Sequence, residues 1–203
     1  MTRRRFAVAA ALLLLARCGS PATQVFDLSP AVSSDTAAAV PAGPSRGLAP
    51  IWVDKPSVAG YFDRTQMVVR DADSRVSIHE FEVWSDPPAD LIQRAVVDDL
   101  ARRFGIDRVM ATPVAHYVTP GWRVALDVIR FDVEAGGDAV LDARWTLRSG
   151  ADDRLSASRR ERIDVPCGDP ADPGKRVAAL RAAVATLSVR IGDAIASAPP
   201  ARR

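Results

Sequence analysis

Residues 122–147 read WRVALDVIRFDVEAGGDAVLDARWTL, and this stretch decides the fold class. In its first part every second residue is a large apolar one, which predicts a strand with one buried face. The apolar positions then shift by one residue, so we expect either a β-bulge near Val128-Ile129 or a strand that is buried on both faces. Gly136-Gly137 predicts a hairpin turn, and an alternating pattern of apolar residues resumes after it.

Further strands are predicted on both sides of this hairpin. On its N-terminal side, short apolar or alternating runs cover residues 25–28, 51–53, 66–70 and 76–81. Turn-forming residues at 71–74 separate the last two runs, which therefore form a second hairpin. On its C-terminal side, residues 155–165 predict a charged strand at the edge of a sheet, where arginines discourage pairing with other chains.

Two helices complete the pattern. Apolar residues at helical spacing follow Asp90, and Gly105 is a typical helix terminator. A longer helix begins at Pro173, with apolar residues in steps of three and four at Val177, Leu180, Val184, Leu187, Ile191 and Ile195. The order of elements predicts an α+β fold, in which a single domain has an antiparallel β-sheet with two helices packed on one face.

The N-terminus is typical of an export signal. Three arginines at residues 3–5 precede an apolar run over residues 6–16, which is far shorter than the roughly 20 residues of a membrane span. Cys18 follows directly, so we predict a signal peptide over residues 1–17 and a lipid on Cys18. The alternative is an ordinary secretory signal with a chance cysteine. The general secretory route ranks ahead of the twin-arginine route that the arginines also suggest.

The composition separates a linker from a folded domain. Residues 18–49 combine the lipidated cysteine with a stretch rich in Ala, Pro, Ser and Gly, which predicts a flexible linker. Residues 50–198 carry the strand and helix patterns and predict the domain. The formal net charge of +2 is too small to indicate a nucleic-acid partner.

The sequence offers little chemistry. The only histidines, His79 and His116, lie far apart and have no carboxylate at metal-ligand spacing. Cys167 has no neighbouring base, and if Cys18 carries a lipid there is no second cysteine for a disulfide. We therefore predict no catalytic residues, no metal ligands and no cofactor. A periplasmic hydrolase is the weakest of the functional hypotheses.

Several segments occur in a family-specific order. Residues 60–70 read GYFDRTQMVVR, residues 82–88 read EVWSDPP, and Phe26-Asp27-Leu28 precedes both. With the N-terminal cysteine and the two helices, this order resembles the ABC-type transport auxiliary lipoproteins, the paraquat-inducible protein C-like lipoproteins of mammalian-cell-entry (MCE) systems. The resemblance extends over nearly all of the chain after Cys18.

The resemblance implies a role without an enzymatic reaction. It implies a periplasmic lipoprotein that works with an MCE-domain protein and an ABC permease to move lipids or hydrophobic compounds, and that forms a homo-oligomeric ring. Gly19 after the cysteine favours anchoring to the outer membrane. In the matched segment Arg64, Gln66 and Arg70 are candidates to face a partner, or are simply solvent-exposed strand residues. The alternative function is a soluble periplasmic module that binds a lipid or small ligand in a cavity between helices and sheet.

Overall fold

The structure is a computed structural model that describes residues 21–29, 49–71, 73–114 and 119–199. Within these residues the elements follow one another as β1 (Gln24–Phe26), β2 (Ile51–Val53), β3 (Ser57–Val58), β4 (Gln66–Arg70), β5 (Val76–Trp84), α1 (Pro88–Phe104), a short 3-10 helix (Ile106–Arg108), β6 (Val109–Ala111), β7 (Trp122–Glu134), β8 (Asp138–Ser149), β9 (Leu155–Pro166) and α2 (Pro173–Ser197). The predicted strands and both predicted helices are present. The strand expected over residues 25–28 forms as β1.

Strand β7 is the centre of the sheet. It pairs antiparallel with β8, and β8 pairs antiparallel with β9, so that the predicted hairpin and the predicted edge strand are both confirmed. The register between β7 and β8 shifts between Val128 and Arg130, which identifies Ile129 as the bulged residue. The amide of Gly137 donates to the carbonyl of Glu134 at 2.8 Å and closes the predicted turn.

The other side of β7 is covered by three short strands in succession. β2, β3 and β4 all pair with β7 in the parallel sense. β6 lies parallel to β2, and β5 pairs antiparallel with β4 as the predicted second hairpin. The sheet is therefore mixed, because parallel pairs join the two antiparallel units that the sequence predicted.

Both helices pack on one face of this sheet, as predicted. α1 lies over β2, β3 and β6, α2 lies over β7, β8 and β9, and the two helices contact each other. The apolar positions predicted for α2 face this contact: Leu180, Val184, Leu187, Ile191 and Ile195 are buried, and Val177 is partly buried. Burial of this stripe against the sheet stabilises the helix far more than its intrinsic propensity does.

Local chemistry sets the helix ends. Gly105 has φ 106°, a conformation that disfavours a side chain, and α1 ends at the residue before it. Asp172 caps α2 because its carboxylate accepts hydrogen bonds from the amides of Gly174 (2.8 Å) and Lys175 (3.3 Å). Neither of the two described α-helices combines the length and apolar character that crossing a membrane requires.

Candidate functional site

A buried carboxylate organises the face of the sheet that points away from the helices. Asp132 of β7 is 0% exposed. Its neighbours Phe131 and Val133 face the helices, so strand alternation directs Asp132 to the opposite face. Arg130 makes a two-nitrogen contact with it, with Nε and Nη2 lying 2.9 and 2.8 Å from Oδ1. Arg70 Nε is 3.2 Å from Oδ2.

Tyr61 completes this cluster of Tyr61, Arg70, Arg130 and Asp132, which we call the Asp132 network. The phenol hydroxyl of Tyr61 donates to Asp132 Oδ2 at 2.6 Å, and the Arg70 guanidinium lies 5.0 Å from the centre of the Tyr61 ring. Both carboxylate oxygens of Asp132 thus accept charge-assisted or strong hydrogen bonds. A buried charge requires such pairing, since an unpaired one would be costly.

The loop over residues 59–65 places Tyr61 beside the bulge in β7. β3 pairs with Asp127 and Val128, whereas β4 pairs only further along, with Val133 and Glu134. The loop crosses the gap between these two pairings, and it begins with a hydrogen bond of 3.1 Å from the amide of Ala59 to the carbonyl of Val128. The extra residue of the bulge and the loop therefore lie side by side, and Tyr61 reaches Asp132 from this loop.

The environment keeps Tyr61 protonated. Burial, followed by its hydrogen bond to Asp132, raises the pKa of Tyr61 to about 12. At neutral pH the phenol is therefore a hydrogen-bond donor and not a base. The Tyr61 hydroxyl and both carboxylate oxygens of Asp132 are used in contacts within the network, which suits a brace between β4, β7 and the loop of residues 59–65.

Charges of both signs continue across the outer face. Arg130 Nη1 also contacts Glu134 at 2.8 Å, and Arg162 of β9 bridges Glu134 (3.3 Å) and Asp164 (2.8 Å). On the neighbouring strands Arg160 pairs with Asp142 at 2.7 Å, and the hydrogen bond from this arginine lowers the pKa of Asp142. Much of the charge on this part of the face is therefore compensated by ion pairs within strands and between neighbouring strands.

The structure gives different places to Arg64, Gln66 and Arg70, the three residues that were candidates either to face a partner or to be ordinary solvent-exposed strand residues. Arg70 belongs to the Asp132 network. Arg64 is half-buried, and its Nε is a buried atom without a hydrogen-bond partner in the structure. Gln66 lies at the start of β4, beside Val83 and next to the irregularity between β4 and β5. Sequence reasoning missed Asp132. The feature that could have indicated it is a single acidic residue between two apolar residues, Phe131 and Val133, which are both buried.

The other residues singled out in the sequence form no catalytic group within the described part of the chain. His79 Nδ1 contacts Glu82 at 2.9 Å, and Cys167 is a buried free thiol. Cys18 and His116 lie outside the described residues. Among residues 21–29, 49–71, 73–114 and 119–199, no three His, Cys, Asp or Glu side chains come together to hold a metal ion.

The segment nearest to Cys18 is built into the domain. β1 pairs parallel with the end of β5, and the carbonyl of Phe26 accepts a hydrogen bond of 2.7 Å from the amide of Ser85. The carboxylate of Asp27 accepts from the Ser85 hydroxyl at 2.6 Å, and hydrogen bonds from Ser29 and Ser85 lower the pKa of Asp27. Leu28 is 1% exposed and belongs to the core. The chain is thus held at the sheet edge from Gln24 to Leu28.

The space between helices and sheet is filled. A cavity there has a volume of about 10 Å³, barely enough for one water molecule. Its lining consists of Phe62, Met67, Val68, Trp84, Phe131, Val133, Arg176 and Leu180. A second hollow of about 430 Å³ is an open groove between α2 and β9, and it contains the charged residues Arg159, Glu161, Arg190 and Asp193.

A family model connects these features to known proteins. The model for the ABC-type transport auxiliary lipoprotein component matches residues 26–192, from β1 to the last turns of α2. The chain belongs to this family. The matched region includes the docked segment from Phe26 onwards, the loop that carries Tyr61, all of α1 and most of α2. The family is described as an auxiliary lipoprotein component of ABC-type transport, and this description names no enzymatic activity.

Two solved structures share the fold of this auxiliary lipoprotein, and a third is a weaker match. A crystal structure of an uncharacterized protein has a TM-score of 0.67 at 15% identity, covering 85% of this chain and 98% of that one. Protein XCC0632 from Xanthomonas campestris has a TM-score of 0.62 at 23% identity, covering 73% and 84%. A dodecameric PelC from Paraburkholderia phytofirmans has a TM-score of 0.47 at 12% identity, covering 80% and 94%. No curated protein matches the chain.

Proposed function

We propose that this chain is a non-enzymatic lipoprotein subunit of an ABC transport system of the MCE type, which moves lipids or other hydrophobic compounds across the cell envelope. A lipid on Cys18 anchors it to the periplasmic side of the outer membrane. The observation that carries the proposal is the family match over residues 26–192, which spans nearly the whole described fold. The permease and the MCE-domain protein of the same system are its partners.

The filled core favours a subunit over a carrier. A soluble module that binds a lipid between helices and sheet needs a cavity of several hundred Å³. The described residues leave about 10 Å³ at that place. The larger groove between α2 and β9 is open and lined by charged side chains, a poor environment for an acyl chain. Cargo therefore passes through the partners, and this domain contributes surfaces and an anchor.

The Asp132 network supports the same conclusion. A catalytic group has to reach a substrate, whereas Asp132 is 0% exposed and is covered by contacts from the Tyr61 hydroxyl and the Arg130 guanidinium. The network stabilises the segment that is characteristic of the family. Such a rigid, fully paired scaffold suits a protein that presents a surface to other proteins.

The first experiment tests the anchor. Cells are fed an alkyne analogue of palmitate, and the wild-type chain is compared with Cys18→Ser, followed by separation of inner and outer membranes. We expect label on the wild type in the outer-membrane fraction and its loss in Cys18→Ser. A wild-type chain that is unlabelled and soluble would contradict the anchor and favour the soluble module.

The second experiment tests the partners. The tagged chain is crosslinked in cells and purified, and the captured proteins are identified by mass spectrometry. We expect an MCE-domain protein and a permease of the ABC type, recovered equally from wild type and from a Cys167→Ala control. Recovery of neither, or of co-purified lipid with the chain alone, would contradict the transport-subunit assignment.

A further inference from the structure

The attachment of β1 sets how far the domain can stand from its lipid anchor. Gln24 is already paired with Glu82 of β5, and Pro21 is the first described residue. Six residue steps separate Cys18 from Gln24, and an extended chain of that length spans at most about 22 Å. If the chain were unattached up to residue 49, where the predicted linker ends, the domain could stand much farther from the membrane. The segment that connects Cys18 to the domain therefore ends at the sheet edge formed by β1 and β5.

This sheet edge also exposes apolar side chains. Val25 of β1 is 64% exposed, and Ile78 and Phe81 of β5 are 48% and 42% exposed. Six large apolar side chains are exposed among the described residues, and Val25, Ile78 and Phe81 are half of that set. β1 and β5 together comprise only a small part of the chain, so exposed apolar area is concentrated here.

The direction of β1 brings these side chains to the anchored end. Because β1 runs parallel to β5, Gln24 is the end of β1 nearer to Phe81 and Ile78. The chain enters the domain beside these residues. Val25 lies next to Val83, and Phe81 is two positions before Val83 on the same strand, so that alternation places Phe81 and Val83 on one face.

The charges near this edge are largely compensated. Glu82 pairs with Arg176 and His79, and Asp27 accepts hydrogen bonds from serines, which leaves Glu80 as an exposed acid on β5. No cluster of lysines or arginines marks the described part of the edge. Electrostatic attraction between this edge and anionic lipids is therefore weak. Apolar contact and the short segment between Cys18 and β1 have to hold this surface at the membrane.

We propose that the β1–β5 edge lies against the membrane that holds the Cys18 lipid, with Val25 and Phe81 in the interfacial layer. The proposal rests on the lipid anchor of the proposed function. The short distance from Cys18 to β1 keeps this edge close to the membrane, and burial of exposed apolar side chains in the interfacial layer adds to attachment. The orientation directs the opposite end of the sheet away from the membrane, towards partners.

The test reads the environment of single labels on vesicle-bound protein. In a Cys167→Ala background, residues 1–18 are replaced by a hexahistidine segment, which keeps every described residue and attaches the chain at the same point to phosphatidylcholine vesicles that contain a nickel-chelating lipid. A single cysteine at Val25→Cys or Phe81→Cys carries an environment-sensitive nitrobenzoxadiazole dye. Matched controls place it at Ile106→Cys or Leu155→Cys, which are exposed apolar positions on other elements.

On vesicle binding, we expect the dyes at residues 25 and 81 to shift to the blue and brighten at least two-fold, with little dependence on salt, while dyes at 106 and 155 stay unchanged. A Gly/Ser insertion of about 20 residues after Ala22 should reduce the shift. Equal signals at all four positions, or unchanged dyes at 25 and 81 on fully bound protein, would overturn the proposal. Since nickel tethering bypasses acylation, this test reads the contact of the β1–β5 edge with the membrane, and the palmitate labelling of Cys18 in cells tests the anchor of the proposed function separately.

Discussion

The hydroxyl of Tyr61 donates a hydrogen bond of 2.6 Å to Oδ2 of Asp132, although the two residues are 71 positions apart in the chain. The contact joins the loop before β4 to the bulged region of β7. It thereby connects the family-specific segment to the central strand. Since Asp132 is completely buried, this pairing contributes to the stability of the sheet as well as to its shape.

Replacing Tyr61 tests the contribution of this hydrogen bond. Tyr61→Phe keeps the ring beside Phe62 and Arg70 but removes the donor. We expect a loss of about 1.5–3 kcal/mol in the free energy of unfolding, because hydrogen bonds to charged groups contribute that much. Urea unfolding followed by tryptophan fluorescence at neutral pH measures it. An unchanged midpoint would mean that the two arginines alone satisfy Asp132.

The same contact predicts a loss of stability in alkali. The pKa of Tyr61 is raised from 10.0 to about 12, so the folded state retains a proton that the unfolded state releases. This contribution is complete below pH 10 and disappears as the pH rises towards 12. Two pKa units correspond to at most about 2.7 kcal/mol, and less here because Tyr61 is only half-buried. The chain contains two tyrosines, so absorbance at alkaline pH in wild type and Tyr61→Phe isolates the titration of Tyr61. A value near 10 would contradict the burial of its hydroxyl.

The ion pair between Arg176 of α2 and Glu82 of β5 is predicted to matter more than pairs at the surface. Arg176 is 3% exposed, and Nη1 also donates to the carbonyl of Pro170 at 2.6 Å. Arg176→Met leaves Glu82 without this partner, and we expect a loss of about 2–4 kcal/mol. Glu82→Gln should cost a similar amount, and the double variant less than the sum.

A matched control is the exposed pair of Arg94 and Asp86, whose nitrogen and oxygen lie 2.6 Å apart. Asp86→Asn should cost less than about 1 kcal/mol, since solvent screens the pair. Thermal unfolding of the Arg176 and Glu82 variants and of Asp86→Asn, each in low and in high salt, compares the loss of stability at the two sites. Equal losses at the two sites would argue against a special role for the buried arginine.

Leu28 is predicted to hold β1 in place. Its side chain is 1% exposed, and Leu28→Ala should lower the free energy of unfolding by about 2–5 kcal/mol through the cavity left behind. Val25→Ala, three residues earlier and 64% exposed, is the control and should change little. Urea unfolding measures both in the absence of membranes. If Leu28→Ala were as stable as the control, the segment before Ser29 would be a free tether.

Gly150 is predicted to tolerate no side chain. A Cβ atom there would lie 2.0 Å from the carbonyl oxygen of Pro120, a backbone atom that cannot move aside easily. Gly150→Ala should therefore cost about 3 kcal/mol or more, or prevent folding. Gly136→Ala, in the β7–β8 turn, has open space around the added carbon and serves as the control. Comparable melting temperatures for the two variants would show that the close approach is absent.

Much of the fold could be predicted because its signals are local. The shift of the apolar phase near Val128 predicted a bulge, and the register of β7 and β8 confirms it at Ile129. Gly105 and Pro173 correctly marked the end of α1 and the start of α2. Each of these signals acts through the residues beside it, by steric freedom or by a missing amide.

The parallel pairing of strands with β7 could not be predicted from such local signals. Alternation shows which side of a strand is buried, but it does not show which strand lies beside it. β2, β3 and β4 pair with β7 across long separations in sequence, and nothing within these short runs specifies that partner. The sheet was therefore predicted as antiparallel throughout, whereas its two antiparallel units are joined by parallel strands.

The sequence by itself determined the elements, their ends, the α+β class and the family resemblance, because propensity, turn chemistry and periodicity depend on near neighbours. Tertiary structure alone decided that Asp132 would be buried among Tyr61, Arg70 and Arg130, and that β1 would dock six residues after Cys18. Both outcomes depend on contacts between distant parts of the chain. Their energy comes from burying and pairing groups that look like ordinary surface residues in the sequence.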